Sequence, residues 1–175
     1  MRELVYSVAT SLDGFIAGPK GEYDWIIQDP TMDFGEIFGC FDTLVMGRNC
    51  YESMIREGHS PQEFGMKAFV ASTTLDPAQH HDVTIVGSEL AATVAELKRG
   101  SGKDIWLFGG GTTFRSLLDA GLVDRVEVSL IPVLLGGGIP LIPAGRRWSL
   151  QFQDSRTFPS GIVSLTYRVG PEPAI

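Results

Sequence analysis

Residues 105–114 read Ile105-Trp106-Leu107-Phe108-Gly109-Gly110-Gly111-Thr112-Thr113-Phe114, four bulky apolar residues running straight into three glycines. An apolar run this short, bounded by a turn signal, predicts a strand buried on both faces, as strands of parallel sheets are. Phe114, Leu117 and Leu118 follow at helical spacing, and Gly121 stops the pattern. Outward from this strand–glycine–helix unit the alternation repeats. Upstream, Leu90, Val94 and Leu97 mark a helix over 89–99, and strands are predicted at 83–86 and 66–71. A strand at 43–46 ends in Gly47-Arg48, and Asn49 is placed as the cap of a short helix. Phe34, Ile37, Phe38 and Phe41 form one helical stripe, and a first strand is placed at 4–9. Downstream, a strand at 124–133 is broken by Gly136-Gly137-Gly138, and strands near 150–157 and 162–169 flank the turn Pro159-Ser160-Gly161. The expected fold is α/β: a mostly parallel central sheet of about eight strands, helices on both faces and an antiparallel C-terminal edge. No composition shift marks a linker, so residues 1–175 are expected to form a single domain.

Composition narrows the function. A hydrophobic share of 43% supports a packed core, and a net charge of −7 argues against a general nucleic-acid binder. The N-terminus meets polar residues too early for a secretory signal, and no apolar run approaches the ~20 residues of a membrane helix. Cys40 and Cys50 make no disulfide framework, no Cys/His cluster has zinc-like spacing, and His80-His81 reads as a solvated loop. A cytoplasmic protein without metal, binding a small molecule rather than nucleic acid or membrane, is expected.

In sheets of this kind ligands bind outside the carboxyl ends of the strands. Three unusual stretches fall at such ends: Gly47-Arg48-Asn49, Ser72-Thr73-Thr74 and Gly109-Gly110-Gly111-Thr112-Thr113. Glycines between a strand and a helix let a ligand approach the backbone, where first-turn N–H groups and the helix dipole favour an anion. The bland alternative, a tight turn without a ligand, is about as common for a glycine triplet. There is no Gly-Lys-Ser/Thr P-loop, and Phe114 stands where the third glycine of G-x-G-x-x-G belongs, so the ordinary Rossmann fingerprint fails. Arg48 at a strand end suits a terminal phosphate such as the 2′-phosphate of NADPH, with Ser72, Thr73 and Thr74 as further donors; singly, each is more often a surface ion pair or a polar turn.

Longer stretches carry a family likeness. Met46-Gly47-Arg48-Asn49-Cys50-Tyr51-Glu52-Ser53 resembles the Met-Gly-Arg-x-Thr-Tyr-Glu-Ser segment of dihydrofolate reductases, and the strand ending in Gly109-Gly110-Gly111 resembles their second signature. Ser11-Leu12-Asp13-Gly14-Phe15-Ile16-Ala17 and Ile131-Pro132-Val133-Leu134-Leu135-Gly136-Gly137-Gly138-Ile139-Pro140-Leu141 are closer to the reductase domain of riboflavin-biosynthesis deaminase-reductases and its stand-alone relatives. The likeness runs from about residue 3 to 169. It implies a dihydrofolate-reductase-like fold and NADPH as cofactor. By position, Arg48 and Ser72 would hold the 2′-phosphate; Asn49, Cys50, Gly110, Gly111, Thr112 and Thr113 the pyrophosphate; Ala9 and Ile16 would line the nicotinamide pocket. Cys50 replaces the family's threonine and loses a good hydroxyl donor.

The acceptor is less legible. Dihydrofolate reductases place a carboxylate five residues after a loop tryptophan; Trp25 fits that tryptophan, but Pro30 stands at the carboxylate position. Asp29, Asp33 and Glu36 lie nearby, and Asp33 is the candidate catalytic carboxylate, with Trp25 and Glu36 as substrate contacts. Acids in a first helical turn are commonly solvated dipole partners instead. On the riboflavin-branch likeness, hydride is delivered to C1′ of a ribosylaminopyrimidine phosphate, with Asp13 as a polar group at the mouth and Gly136-Gly137 as a phosphate-facing loop. Asp13 shaping its own turn is the competing assignment. Three functions stand: an NADPH-dependent reductase of the riboflavin type, a dihydrofolate reductase, or a non-catalytic NADP-binding protein. The family branch implies a homodimer, for which Leu130, Ile131, Leu134 and Leu135 are the apolar candidates.

Overall fold

A computed structural model describes residues 1–170; residues 171–175 lie outside the described part. The elements are β1 (Leu4–Ser11), β2 (Phe15–Ala17), α1 (Phe34–Gly39), β3 (Phe41–Gly47), α2 (Arg48–Arg56), β4 (Lys67–Ala71), β5 (Thr84–Val86), α3 (Leu90–Arg99), β6 (Asp104–Gly109), α4 (Gly111–Asp119), β7 (Arg125–Ile131), β8 (Ile139–Pro140), β9 (Leu150–Thr157) and β10 (Val163–Val169). Eight strands form one sheet in the order β5-β4-β3-β6-β1-β7-β10-β9, and β2 pairs with β8 in a separate ribbon. The first six strands of that order are mutually parallel. β10 runs antiparallel to both of its neighbours. The architecture is the α/β arrangement expected, a mostly parallel sheet with an antiparallel edge.

Period-two alternation sorts the strand side chains into two cores. Leu4 and Tyr6 of β1, Val45 of β3, and Ile105 and Leu107 of β6 pack on one face with Val94 of α3 and with Phe114, Leu117 and Leu118 of α4. Val5, Leu44, Met46 and Trp106 point the other way, against Tyr51 and Met54 of α2 and Phe38 of α1. Tyr6 stacks on Phe114 with ring centroids 3.8 Å apart, pinning α4 to the sheet centre.

Two local expectations are corrected. Phe41 does not extend the α1 stripe; the helix ends at Gly39, and Phe41 enters β3 beside Asp104, 5% exposed. Burial against Trp106 outweighs one more helical turn. Asn49 is not a cap: Gly47 occupies that position and α2 begins at Arg48. β3 runs directly into the helix, leaving no room for a capping side chain.

Candidate active site

The strand order places the carboxyl ends of β4, β3, β6 and β1 side by side. Met46 lies opposite Gly109 and Gly47 opposite Ala71, so the glycine end of β6 and the arginine end of β3 are one strand spacing apart, about 4.8 Å. A cleft of about 1680 Å³ opens there, walled by Ala9, Ile16, Gly47, Arg48, Asn49, Cys50, Gly109, Gly110, Gly111, Thr112 and Thr113. Two stretches 60 residues apart in sequence thus share a wall.

Gly109 and Gly111 are held to glycine by the backbone itself, and Gly47 packs closely on Thr113. Gly109 has φ +148°, in the region that favours glycine. A Cβ on Gly47 would lie 2.5 Å from Thr113 Oγ1, and one on Gly111 only 2.8 Å from the Pro140 carbonyl oxygen. The Gly109–Gly110 peptide is cis. Helices α2 and α4 both open on the cleft, begin at glycine caps without a side-chain hydrogen bond, and carry no acid in the first turn. Contrast α1, whose first turn is capped by Asp33. Uncapped first-turn N–H groups and two helix dipoles converging on one wall suit a pyrophosphate.

Arg48 is exposed at the cleft rim. Its Nη1 donates to Thr74 Oγ1 at 2.9 Å, while Glu52 stands off at 3.8 Å, a loose and solvated pair. The Ser72 hydroxyl oxygen accepts from the backbone N–H groups of Thr74 and Leu75, so Ser72 shapes the turn that presents Thr74 to Arg48. Ser72 and Thr73 lie off the cleft wall, with Thr74 linking their turn to it. Burial pushes the Cys50 thiol up to about 11, so at neutral pH it is uncharged. A thiolate there would repel an anion; a thiol only forgoes one hydrogen bond.

The acidic candidates take other posts. Asp13 is exposed, off the cleft wall, and accepts hydrogen bonds from Ser11 Oγ at 2.7 Å, Gly136 N at 2.7 Å and Leu135 N at 3.1 Å. The Ser11 bond holds its carboxyl below the usual range; burial opposes it, and the Gly136 and Leu135 amides add to the lowering. It therefore ties the loop after β1 to the segment after β7, in place of the catalytic role expected. Gly136 and Gly137 lie in that tied segment, off the cleft wall, and Gly138 passes so close to Ala17 that no Cβ fits. Asp33 accepts from Glu36 N at 2.9 Å as the α1 cap and is exposed, so it does not turn inward. Glu36 lines a side pocket of about 270 Å³ beside the main cleft. Trp25 packs beside Ile131, Phe158 and Ile162 while its Nε1 donates to Glu22 O at 3.2 Å; its neighbours Asp24 and Ile26, not Trp25 itself, wall the cleft. Asp29 is 1% exposed and accepts from Thr31 N and Ser160 N, both at 2.8 Å; the hydrogen bonds from Ser160 and Thr31 hold it well below the ordinary carboxylate range. It fastens its loop to the turn between β9 and β10.

The rest of the cleft wall is made by side chains that sequence patterns did not single out. Glu127 and Ser129 of β7, Ser164 and Thr166 of β10, and Arg156 of β9 line it, together with Phe34 and Ile37. The alternation Val126, Val128 against Glu127, Ser129 was the available signal, since period two puts the polar pair on one face.

A family model, the RibD C-terminal domain, matches residues 2–164. The uncharacterized protein YyaP of Bacillus subtilis (strain 168) is 34% identical over 178 residues, covering 95% of this chain and 94% of that protein. The crystal structure of a Shewanella sp. PV-4 protein assigned to riboflavin biosynthesis superposes with a TM-score of 0.80 at 29% identity, over 97% of this chain and 99% of that one. Dihydrofolate reductase from Enterococcus faecalis, solved with NADP(H), superposes with a TM-score of 0.67 at 20% identity over 96% of each chain, a likeness of fold.

Proposed function

This chain belongs to the RibD C-terminal domain family of reductases, and on that premise we propose that it is an NADPH-dependent reductase of the riboflavin-biosynthesis type. Its acceptor on this proposal is a small heterocyclic or ribosylamino compound. The observation that carries the proposal is the convergence of two uncapped helix N-termini and Arg48 on one cleft wall. First-turn N–H groups of α2 and α4 would receive the pyrophosphate, and Arg48, steadied by Thr74, the 2′-phosphate. Ala9 and Ile16 would floor the nicotinamide, which when bound supplies the hydride. Phe34, Ile37, Phe158 and Ile162 give the acceptor side an apolar lining.

A dihydrofolate reductase is disfavoured because Asp29, Asp33 and Glu36 are all absent from the main cleft wall. We propose a homodimer in the cytoplasm; among the described residues no helix is long and apolar enough to cross a membrane. The test is fluorescence titration with NADPH, then its oxidation in the presence of aminopyrimidine, pterin and flavin acceptors. Binding with turnover of an aminopyrimidine is expected. Turnover of dihydrofolate alone would favour the second enzyme, binding without any turnover a non-catalytic NADP-binding protein, and no binding would refute all three.

A further inference from the structure

Cross-strand register lays Ala9, Ser129, Ser164 and Arg156 in one row across β1, β7, β10 and β9, and all four line the cleft. Three strand spacings separate the Cα atoms at its ends, roughly 14 Å. Midway, the Ser129 and Ser164 hydroxyls lie 3.2 Å apart and share a hydrogen bond. Each hydroxyl has one proton and two lone pairs, so the pair keeps capacity to donate and accept beyond its mutual bond.

Arg156 ends the row. Its guanidinium carbon lies 4.7 Å from the centroid of Phe158, a ring packed on Ile131 and Ile162. Among the described residues no carboxylate pairs with it, whereas Arg125 is engaged by Glu3, Asp104 and Glu127. Arg156 also lines the side pocket, whose other charged groups are Arg125, Glu127 and Glu36. Glu127 is held by Arg125 at 2.9 Å, leaving Glu36 as the acid that shares the space with Arg156. A guanidinium with one face on an aromatic ring and its N–H edge open to a cleft is built to receive an anion.

We propose that Arg156 is the acceptor-specificity residue of this cleft. It binds an anionic group, phosphate or carboxylate, on the acceptor, while the Ser129–Ser164 pair takes a hydroxyl or carbonyl lying between that group and the nicotinamide floor at Ala9. This rests on the reductase reading above, because Ala9 marks the end at which the acceptor is reduced.

The test uses the full chain saturated with NADP⁺, so that the sites at Arg48 and the two helices are filled. Ribose 5-phosphate, ribonate and ribose are titrated by amide NMR against wild type, Arg156→Gln, Arg156→Lys and Ser164→Ala. At least one anionic sugar is expected to bind about tenfold or more tightly than ribose, as a charge-assisted contact implies. Which of the two binds tells phosphate from carboxylate. Arg156→Gln should abolish the preference with NADP⁺ affinity unchanged, Arg156→Lys should retain part of it, and Ser164→Ala should weaken all three sugars alike. Equal binding of ribose and both anions by wild type, or a preference that survives Arg156→Gln, overturns the proposal. A parallel titration without coenzyme separates the two claims: an Arg156-dependent preference in a protein that fails to bind NADP⁺ upholds this subsite and sinks the reductase reading.

Discussion

At Gly111 the space for a single carbon is already taken. The Pro140 and Leu141 carbonyl oxygens would lie 2.8 and 3.1 Å from a Cβ there, and backbone atoms cannot rotate aside. Gly111→Ala is expected to lower stability by about 1–3 kcal/mol, the usual range for overpacking, and to weaken NADPH by tilting the first turn of α4. Urea unfolding and a cofactor titration read the two effects. Arg48→Ala should leave the fold intact and weaken NADPH, but not NADH, by about 1.5–3 kcal/mol, since the two differ by the phosphate assigned to Arg48; equal weakening of both would remove that assignment. Arg48 and the glycines were legible because their signal is local: strand, break and helix lie within ten residues. Asp13 and Asp33 misled because a carboxylate near free backbone N–H groups captures them first, in a loop tie and a helix cap. Ser129, Ser164 and Arg156 become one row only through strand pairing, which no sequence window contains.

Among elements, the loop between β2 and α1 is fixed at a distance by one buried carboxylate. Asp29 holds Thr31 within its own loop and Ser160 between β9 and β10, 131 residues away. In the folded protein its carboxyl lies below the ordinary 3.8, the hydrogen bonds from Ser160 and Thr31 being the cause. A carboxyl depressed on folding contributes stability that is complete above about pH 4 and fades as pH falls further, because the unfolded chain takes up the proton first. Asp29→Asn should therefore be less stable than wild type at pH 7, with the gap narrowing steadily between pH 4 and 2. Denaturant midpoints across that range decide it, and a constant gap would assign the loss to packing instead. The strands and helices of the main sheet and its layers were readable from periodicity to within a residue or two, as at 83–86 and 66–71. The exceptions are α1 ending before Phe41 and α2 starting at Arg48, boundaries that sheet pairing sets, and the short β2–β8 ribbon, which lies where the sequence reads as loop and glycine break.

For the molecule as a whole, the parallel sheet and its antiparallel edge followed from the alternation of patterns, but the order of strands did not, since propensity carries no information on neighbours. Nor did burial along the last strands. Ile131, one of four residues expected at a dimer contact, is 2% exposed and belongs to the core, whereas β9 is exposed along its length and presents Phe152 at 58%. The homodimer proposed here is therefore expected to use β9, and Phe152→Asp should convert a dimer to a monomer in sedimentation equilibrium with unchanged far-UV dichroism. A monomeric wild type would dismiss it. The sheet order has one more result. β1 sits between β6 and β7, so Val5 pairs with Trp106 and Arg125. β1 is completed by partners made about a hundred residues or more after it. At roughly 5–20 residues per second of translation, the apolar stretch from Leu4 to Tyr6 leaves the ribosome several seconds before anything can cover it. A nascent chain stalled before β7 would still be an open, adhesive intermediate, and chaperone demand should peak during synthesis rather than after release.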